Sequence, residues 1–156
     1  MKKHLRNFEQ AKDVLDYGID LHGQLGALYH ALGRRSGQDR ARLVLDYLGH
    51  HERERGQALR RFEQIPDANG LDVWLQFAPS PDIERLLADC AVRPDASVDD
   101  IVDIAMRFDA ALIEIYQEAS RQAEDTPAKA LFDHLVDMET QERRRLVRDA
   151  EWVQDI

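Results

Sequence analysis

The sequence predicts an all-α protein, a four-helix bundle of two antiparallel hairpins with a long crossover that contains a short helix. Three observations carry this reading. Apolar residues recur at alternating spacings of three and four in four long segments, the pattern of helices that each bury one seam. Short breaks join the first segment to the second and the third to the fourth, while a long irregular stretch separates the pairs. The two pairs also match each other at a single gapless offset.

The first seam runs Phe8, Ala11, Leu15, Gly18, His22, Leu25, Tyr29 and Leu32 and ends in GRRSGQD, where Gly33 and Gly37 supply a stop and a turn. The second follows at once through Ala41, Leu45, Leu48, Glu52, Arg55, Leu59 and Phe62. It closes before Pro66, because proline lacks the amide a helix needs and disfavours helical geometry in the residue before it. These two helices make a predicted hairpin over residues 5–63.

Residues 64–97 read as the crossover. IPDANGLDVWLQFAPSPD is rich in Pro, Gly, Asn and Asp, and Ser80 with Pro81 forms an N-cap and first-turn signal for the short helix DIERLLADC. Trp74 and Phe77 are expected to pack this link onto the main body, or else to line a ligand pocket. The third seam is Val98, Val102, Ala105, Asp109, Leu112, Tyr116, Ala119 and Ala123, with Ser97 as its N-cap. Thr126 and Pro127 repeat the cap-plus-proline signal, and the fourth seam reads Ala128, Phe132, Leu135, Glu139, Glu142, Leu146 and Val153. The second hairpin therefore covers 98–154, within a single domain of residues 1–156.

Shifting the chain by 87 residues places Leu25 on Leu112, Tyr29 on Tyr116, Ala41 on Ala128, Leu48 on Leu135, Glu52 on Glu139 and Leu59 on Leu146. The same shift sets His22 on Asp109 and Arg55 on Glu142. The hairpins look like two copies of one unit.

Composition bounds the function. With 156 residues, 44% hydrophobic and 33% charged, the chain suits one globular core. No apolar run approaches the roughly 20 residues of a membrane span, and MKKHLRNFEQ lacks the apolar core of a signal peptide, so a cytoplasmic location is expected. The single Cys90 excludes an intramolecular disulfide and any cysteine-based zinc or iron-sulfur site, and reads as a small half-buried hydrophobe. A net charge of −9 opposes binding to nucleic acid and to anionic membrane. Arg34-Arg35 and Arg143-Arg144-Arg145 read as solvated helix surface or helix-end charge.

Ionisable residues interrupt every seam near its midpoint: His22, Glu52 with Arg55, Asp109, and Glu139 with Glu142. In antiparallel helices of similar length the midpoints fall at one level, so these six side chains should meet at the waist of the bundle. Within YLGHHERERGQAL, Arg53 and Glu54 face away and the histidine pair only flanks the seam. His50, His51, His4, His30 and His134 are expected at the surface. With His22 neutral, the layer holds one positive and four negative charges. A buried carboxylate costs several kcal/mol unless paired, so a metal ion, added protons or water must offset the deficit. Iron, manganese or zinc suits carboxylate and imidazole ligands. Equally, Glu52 and Glu139 could be ion-pair partners of Arg55, His22 a hydrogen-bonded core residue, and Glu142 a side chain turned to solvent.

The order acid, E-x-x-H, long crossover, acid, E-x-x-H across four helices is that of the ferritin-like, rubrerythrin-type di-iron carboxylate proteins, which this sequence resembles over nearly its whole length. The resemblance includes a tyrosine seven residues after the first ligand position of each half, Tyr29 after His22 and Tyr116 after Asp109. It implies a ferritin-like fold and, in that family, a di-iron centre that reacts with oxygen or peroxide or handles stored iron. His22 stands for the first acid and Asp109 for the third-helix acid, while Glu52 and Glu139 match the bridging glutamates. Arg55 and Glu142 occupy the positions of both E-x-x-H histidines. Arginine is always protonated and cannot ligate a metal, so Arg55 opposes two ions held as in the family.

The resulting expectation is a ferritin-like protein with a degenerate di-iron site, noncatalytic or metal-responsive, with a buried layer of Arg55, Glu52 and Glu139. The first alternative is an iron or manganese oxidoreductase with one ion on His22, Asp109, Glu139 and Glu142 and with Glu52 as bridge or base. The second is a helical interaction module whose charged layer fixes helix register. Tyr29 and Tyr116 are expected to hydrogen-bond to the carboxylates. By analogy with ferritin-like proteins, a homodimer through exposed apolar helix faces is expected.

Overall fold

The computed structural model describes residues 8–64, 70–79, 82–90 and 93–155. Four long helices form the bundle: α1 (Ala11–Arg35), α2 (Asp39–Gln64), α4 (Val98–Gln122) and α5 (Ala128–Gln154). A short strand β1 (Phe8–Gln10) precedes them, and β2 (Trp74–Phe77) with the short helix α3 (Ile83–Ala88) lies in the crossover. At 25 to 27 residues each, the long helices span about 38–40 Å. Helix α1 packs along α2 and α4 along α5, as the two hairpins require. Among the described residues, no helix is long and apolar enough to cross a membrane.

The seams face inward. Leu15, Leu25, Leu45, Leu59, Phe132 and Tyr116 are each 2% exposed or less, while Phe62, Val102, Glu142 and Val153 sit half-buried at the seam edges. Gly26 and Gly49 let α1 and α2 approach closely, since a Cβ at either would lie 3.4 Å from the other's carbonyl oxygen.

Local chemistry sets the helix starts. Ser97 Oγ accepts from the Asp100 amide and its own amide donates to Asp100 Oδ2, both at 3.1 Å, a reciprocal cap for α4. Thr126 Oγ1 accepts from the Ala128 amide at 3.2 Å, and Pro127 already has helical backbone angles. Helix α3 is capped by Asp82, whose carboxylate accepts from the Arg85 amide at 3.1 Å. The Ser80-Pro81 start signal and Pro66 lie outside the described residues.

Two expectations are corrected. Phe8 belongs to a strand, not to the first helix, and pairs antiparallel with Phe77 of β2. The amides of Ala11 and Lys12, unsatisfied within the first turn of α1, instead donate to the carbonyls of Val73 and Leu71 at 2.9 Å. The ribbon thus anchors the crossover to the start of α1. Trp74 does not pack onto the body: it is 67% exposed, because strand alternation turns Leu75 and Phe77 inward and Trp74 outward. Phe77 does pack, with its ring centroid 5.4 Å from that of Phe8.

Candidate functional site

One residue from α1, two from α2, one from α4 and one from α5 converge inside the bundle. His22 Nδ1 lies 2.6 Å from Glu52 Oε1, and its Nε2 lies 3.2 Å from Glu139 Oε2. Arg55 Nη1 donates to Glu52 Oε2 at 3.1 Å and to Asp109 Oδ1 at 3.3 Å, while Nη2 pairs with Glu139 Oε1. All five side chains are buried, from His22 at 1% exposure to Arg55 at 7%. The helix midpoints meet at one level, and Arg55 points into the layer rather than along α2 to solvent.

Glu142, the sixth candidate, is not part of this cluster. Its carboxylate, 24% exposed, faces His51 Nε2 at 3.5 Å and Arg145 Nη1 at 3.6 Å. His51 is therefore not a surface residue. It is 7% exposed and stacks on Tyr47 with centroids 5.5 Å apart, and Tyr47 donates to Asp149 Oδ2 at 2.7 Å. The signal for this second polar group was the i, i+4 row Tyr47, His51, Arg55, which puts the histidine beside the seam residue. His30, His50 and His134 are exposed, and His4 lies outside the described residues.

The electrostatics follow from burial against pairing. Burial opposes the charge on Arg55, but the carboxylates of Glu52 and Asp109 outweigh it and hold the guanidinium above its ordinary value. Burial alone would raise Glu52, yet Arg55 and the hydrogen bond from His22 bring it below the usual carboxylate range. At Asp109 burial wins, aided by repulsion from Glu52, and the carboxyl is raised despite Arg55. Among the described residues Asp109 Oδ2 is buried without a hydrogen-bond partner. Ionised carboxylate oxygens only accept, so the two His22 contacts need both ring nitrogens to donate, or a proton on one carboxyl. Three carboxylates against the single charge of Arg55 leave a deficit of two for the layer to offset.

Tyr29 and Tyr116 are both buried, but among the described residues neither phenol hydrogen-bonds to the layer. The Tyr116 hydroxyl has no hydrogen-bond partner and is directed at Gly18, whose missing side chain makes room for it. Burial, reinforced by the charges of Glu52 and Asp109, raises Tyr29 well above the usual phenol range.

A carboxylate-bridged metal centre needs imidazole and carboxylate lone pairs aimed at a common open point. Here Arg55 takes the space between Glu52, Asp109 and Glu139, both nitrogens of His22 face carboxylates, and Glu142 is drawn away to His51. Among the described residues, no group of three or more His, Cys, Asp or Glu side chains is arranged to hold a metal ion. In this arrangement the residues do not fit a di-iron centre.

No family model matches the sequence, and no curated protein matches it. The chain is similar to a crystal structure from Thermotoga maritima assigned as a ferritin-like diiron-carboxylate protein, with a TM-score of 0.57 and 19% identity, covering 91% of this chain and 95% of that one. The likeness establishes a ferritin-like fold.

Proposed function

We propose that this ferritin-like chain is noncatalytic, and that Arg55 serves as the resident cation of a layer that holds metal in the di-iron carboxylate proteins it resembles. The observation that carries this reading is the position of the guanidinium, bonded to Glu52 and Asp109 and paired with Glu139. A covalently attached cation cannot be lost, exchanged or change oxidation state. On this reading the layer fixes the register of the helices and the protein acts through what it binds. Metal could enter only by displacing Arg55, which would make the protein metal-responsive through His22, Glu52, Asp109 and Glu139.

Elemental analysis of protein purified without chelator from iron- and manganese-supplemented cells tests this. The expected content is far below one ion per chain; about one tightly held ion per chain would overturn the reading in favour of a mononuclear oxidoreductase. Pairing of two copies belongs to the same proposal. The exposed side chains Leu43 and Trp152 flank an apolar groove of about 270 Å³ between α2 and α5. Light scattering of the parent chain and of a Trp152→Glu variant checks it: a dimer lost in the variant supports this face, and a monomeric parent excludes it.

A further inference from the structure

A cavity of about 230 Å³ lies between the crossover helix α3 and the bundle helix α4, lined by Leu86, Asp89, Cys90, Ile104, Arg107 and Phe108. Phe108, 1% exposed, belongs to the bundle core, while Leu86, Cys90 and Ile104 are half-buried beside it. The volume exceeds the roughly 150 Å³ apolar cavity that admits benzene and falls below the range typical of drug-sized ligands. It suits a small molecule with an apolar body.

The charges at its mouth narrow the class. Asp89 already has a partner, Arg85 Nε at 3.8 Å. Arg107 is exposed and has no side-chain partner among the described residues, in a chain with 30 acidic residues against 21 basic ones. An unpaired guanidinium beside an apolar wall can bind a carboxylate through two parallel hydrogen bonds. The chain's net charge of −9 disfavours a doubly charged phosphate over a singly charged carboxylate. Burial raises the Cys90 thiol, so it serves as part of the wall and reacts slowly with alkylating agents.

The geometry points to a binding site for a small monocarboxylate with an aliphatic or aromatic body, its carboxylate on Arg107 and its apolar part against Leu86, Cys90, Ile104 and Phe108. This inference is independent of the metal content of the layer.

The sole cysteine reports on the site. The rate of Cys90 alkylation by iodoacetamide is measured on the full chain with hexanoate, hexanol or inorganic phosphate. At about 20 mM, hexanoate should slow the reaction about fivefold, the effect of a dissociation constant near 5 mM, while hexanol and phosphate have little effect. Arg107→Gln should abolish the protection and Arg107→Lys should keep much of it, with helical circular dichroism unchanged in both. Calorimetric titration of the parent chain with hexanoate gives a second measure of binding. Unslowed alkylation with no calorimetric heat, or equal protection by hexanoate in Arg107→Gln, would overturn the proposal.

Discussion

Arg55 on α2 donates to Asp109 on α4 at 3.3 Å, so one guanidinium ties the first hairpin to the second across the middle of the core. The same side chain pairs with Glu139 on α5, and His22 on α1 reaches Glu139 from the other side. Each hairpin supplies what the other needs. The first brings both basic groups and one acid, and the second brings two acids. The second half of the internal repeat has no basic group of its own in the layer and buries Asp109 and Glu139 against Arg55 and His22 of the first.

Replacing Arg55 should expose this dependence. Arg55→Met leaves Glu52 and Glu139 buried without their cation, and removal of one partner from such a cluster costs about 3–5 kcal/mol. For a domain of this size that corresponds to a fall in melting temperature of roughly 6–20 °C. Adding Glu139→Gln to Arg55→Met removes one of the stranded charges and should recover part of the loss. Thermal denaturation of the two variants beside the parent checks both the size of the first effect and the sign of the second.

A separate pH dependence arises outside the layer. The neighbouring Asp16 carboxyl, to which a protonated Glu63 can hydrogen-bond, raises Glu63 from 4.5 to about 7, with burial second. A carboxyl raised by folding binds its proton more tightly in the folded state. Its contribution is therefore fully present below about pH 4.5 and is lost as the pH rises towards 7. Glu63→Gln keeps a hydrogen-bonding side chain without the charge. The variant should gain stability relative to the parent at pH 8 and show little difference at pH 4, measured by urea unfolding at both values.

Much of this architecture was legible in the sequence because two periods reinforced each other. The seam spacing put His22, Glu52, Arg55, Asp109 and Glu139 inside, the shared midpoints of similar antiparallel helices put them at one level, and the 87-residue offset related the two hairpins. The offset could not show which rotation α5 takes, and that rotation moves Glu142 from the cluster to His51. Nor could seam spacing alone separate Phe8 from a helix. A residue three before Ala11 fits a helical stripe as readily as a strand that enters it, and the ribbon depends on a partner more than sixty residues away. His51 was missed because the flank of α2 beside the seam is also covered, with Tyr47 stacked on the ring and Glu142 of α5 facing it.

The histidine absent from the first E-x-x-H position offers a direct test of what Arg55 excludes. Arg55→His removes the permanent cation and supplies a nitrogen ligand among His22, Glu52, Asp109 and Glu139, the side chains Arg55 or its partners now contact. The variant should bind about one cobalt(II) ion per chain, seen as visible d–d absorption and as a rise in melting temperature with added metal, while the parent shows neither. A variant that folds but stays colourless would mean that the carboxylates cannot turn their lone pairs to a common point even when the guanidinium is gone.

The contact between Gly18 and Tyr116 gives the last prediction. Both are buried, and a Cβ at Gly18 would run into the Tyr116 hydroxyl and also lie 3.3 Å from Leu59 Cδ1. Gly18→Ala therefore sets a helix-propensity gain of about 1 kcal/mol against an overpacking penalty of roughly 1–3 kcal/mol. The clash should win, because the hydroxyl ends a rigid ring that is fully enclosed by the core. That hydroxyl has no hydrogen-bond partner among the described residues, so Tyr116→Phe removes an unsatisfied group and should be neutral or stabilising. Combining the two changes makes room for the methyl group and keeps the propensity gain. The double variant should be at least as stable as the parent, giving a coupling of about 1 kcal/mol or more in a double-mutant cycle. Simple additivity would show that the two residues do not meet as described.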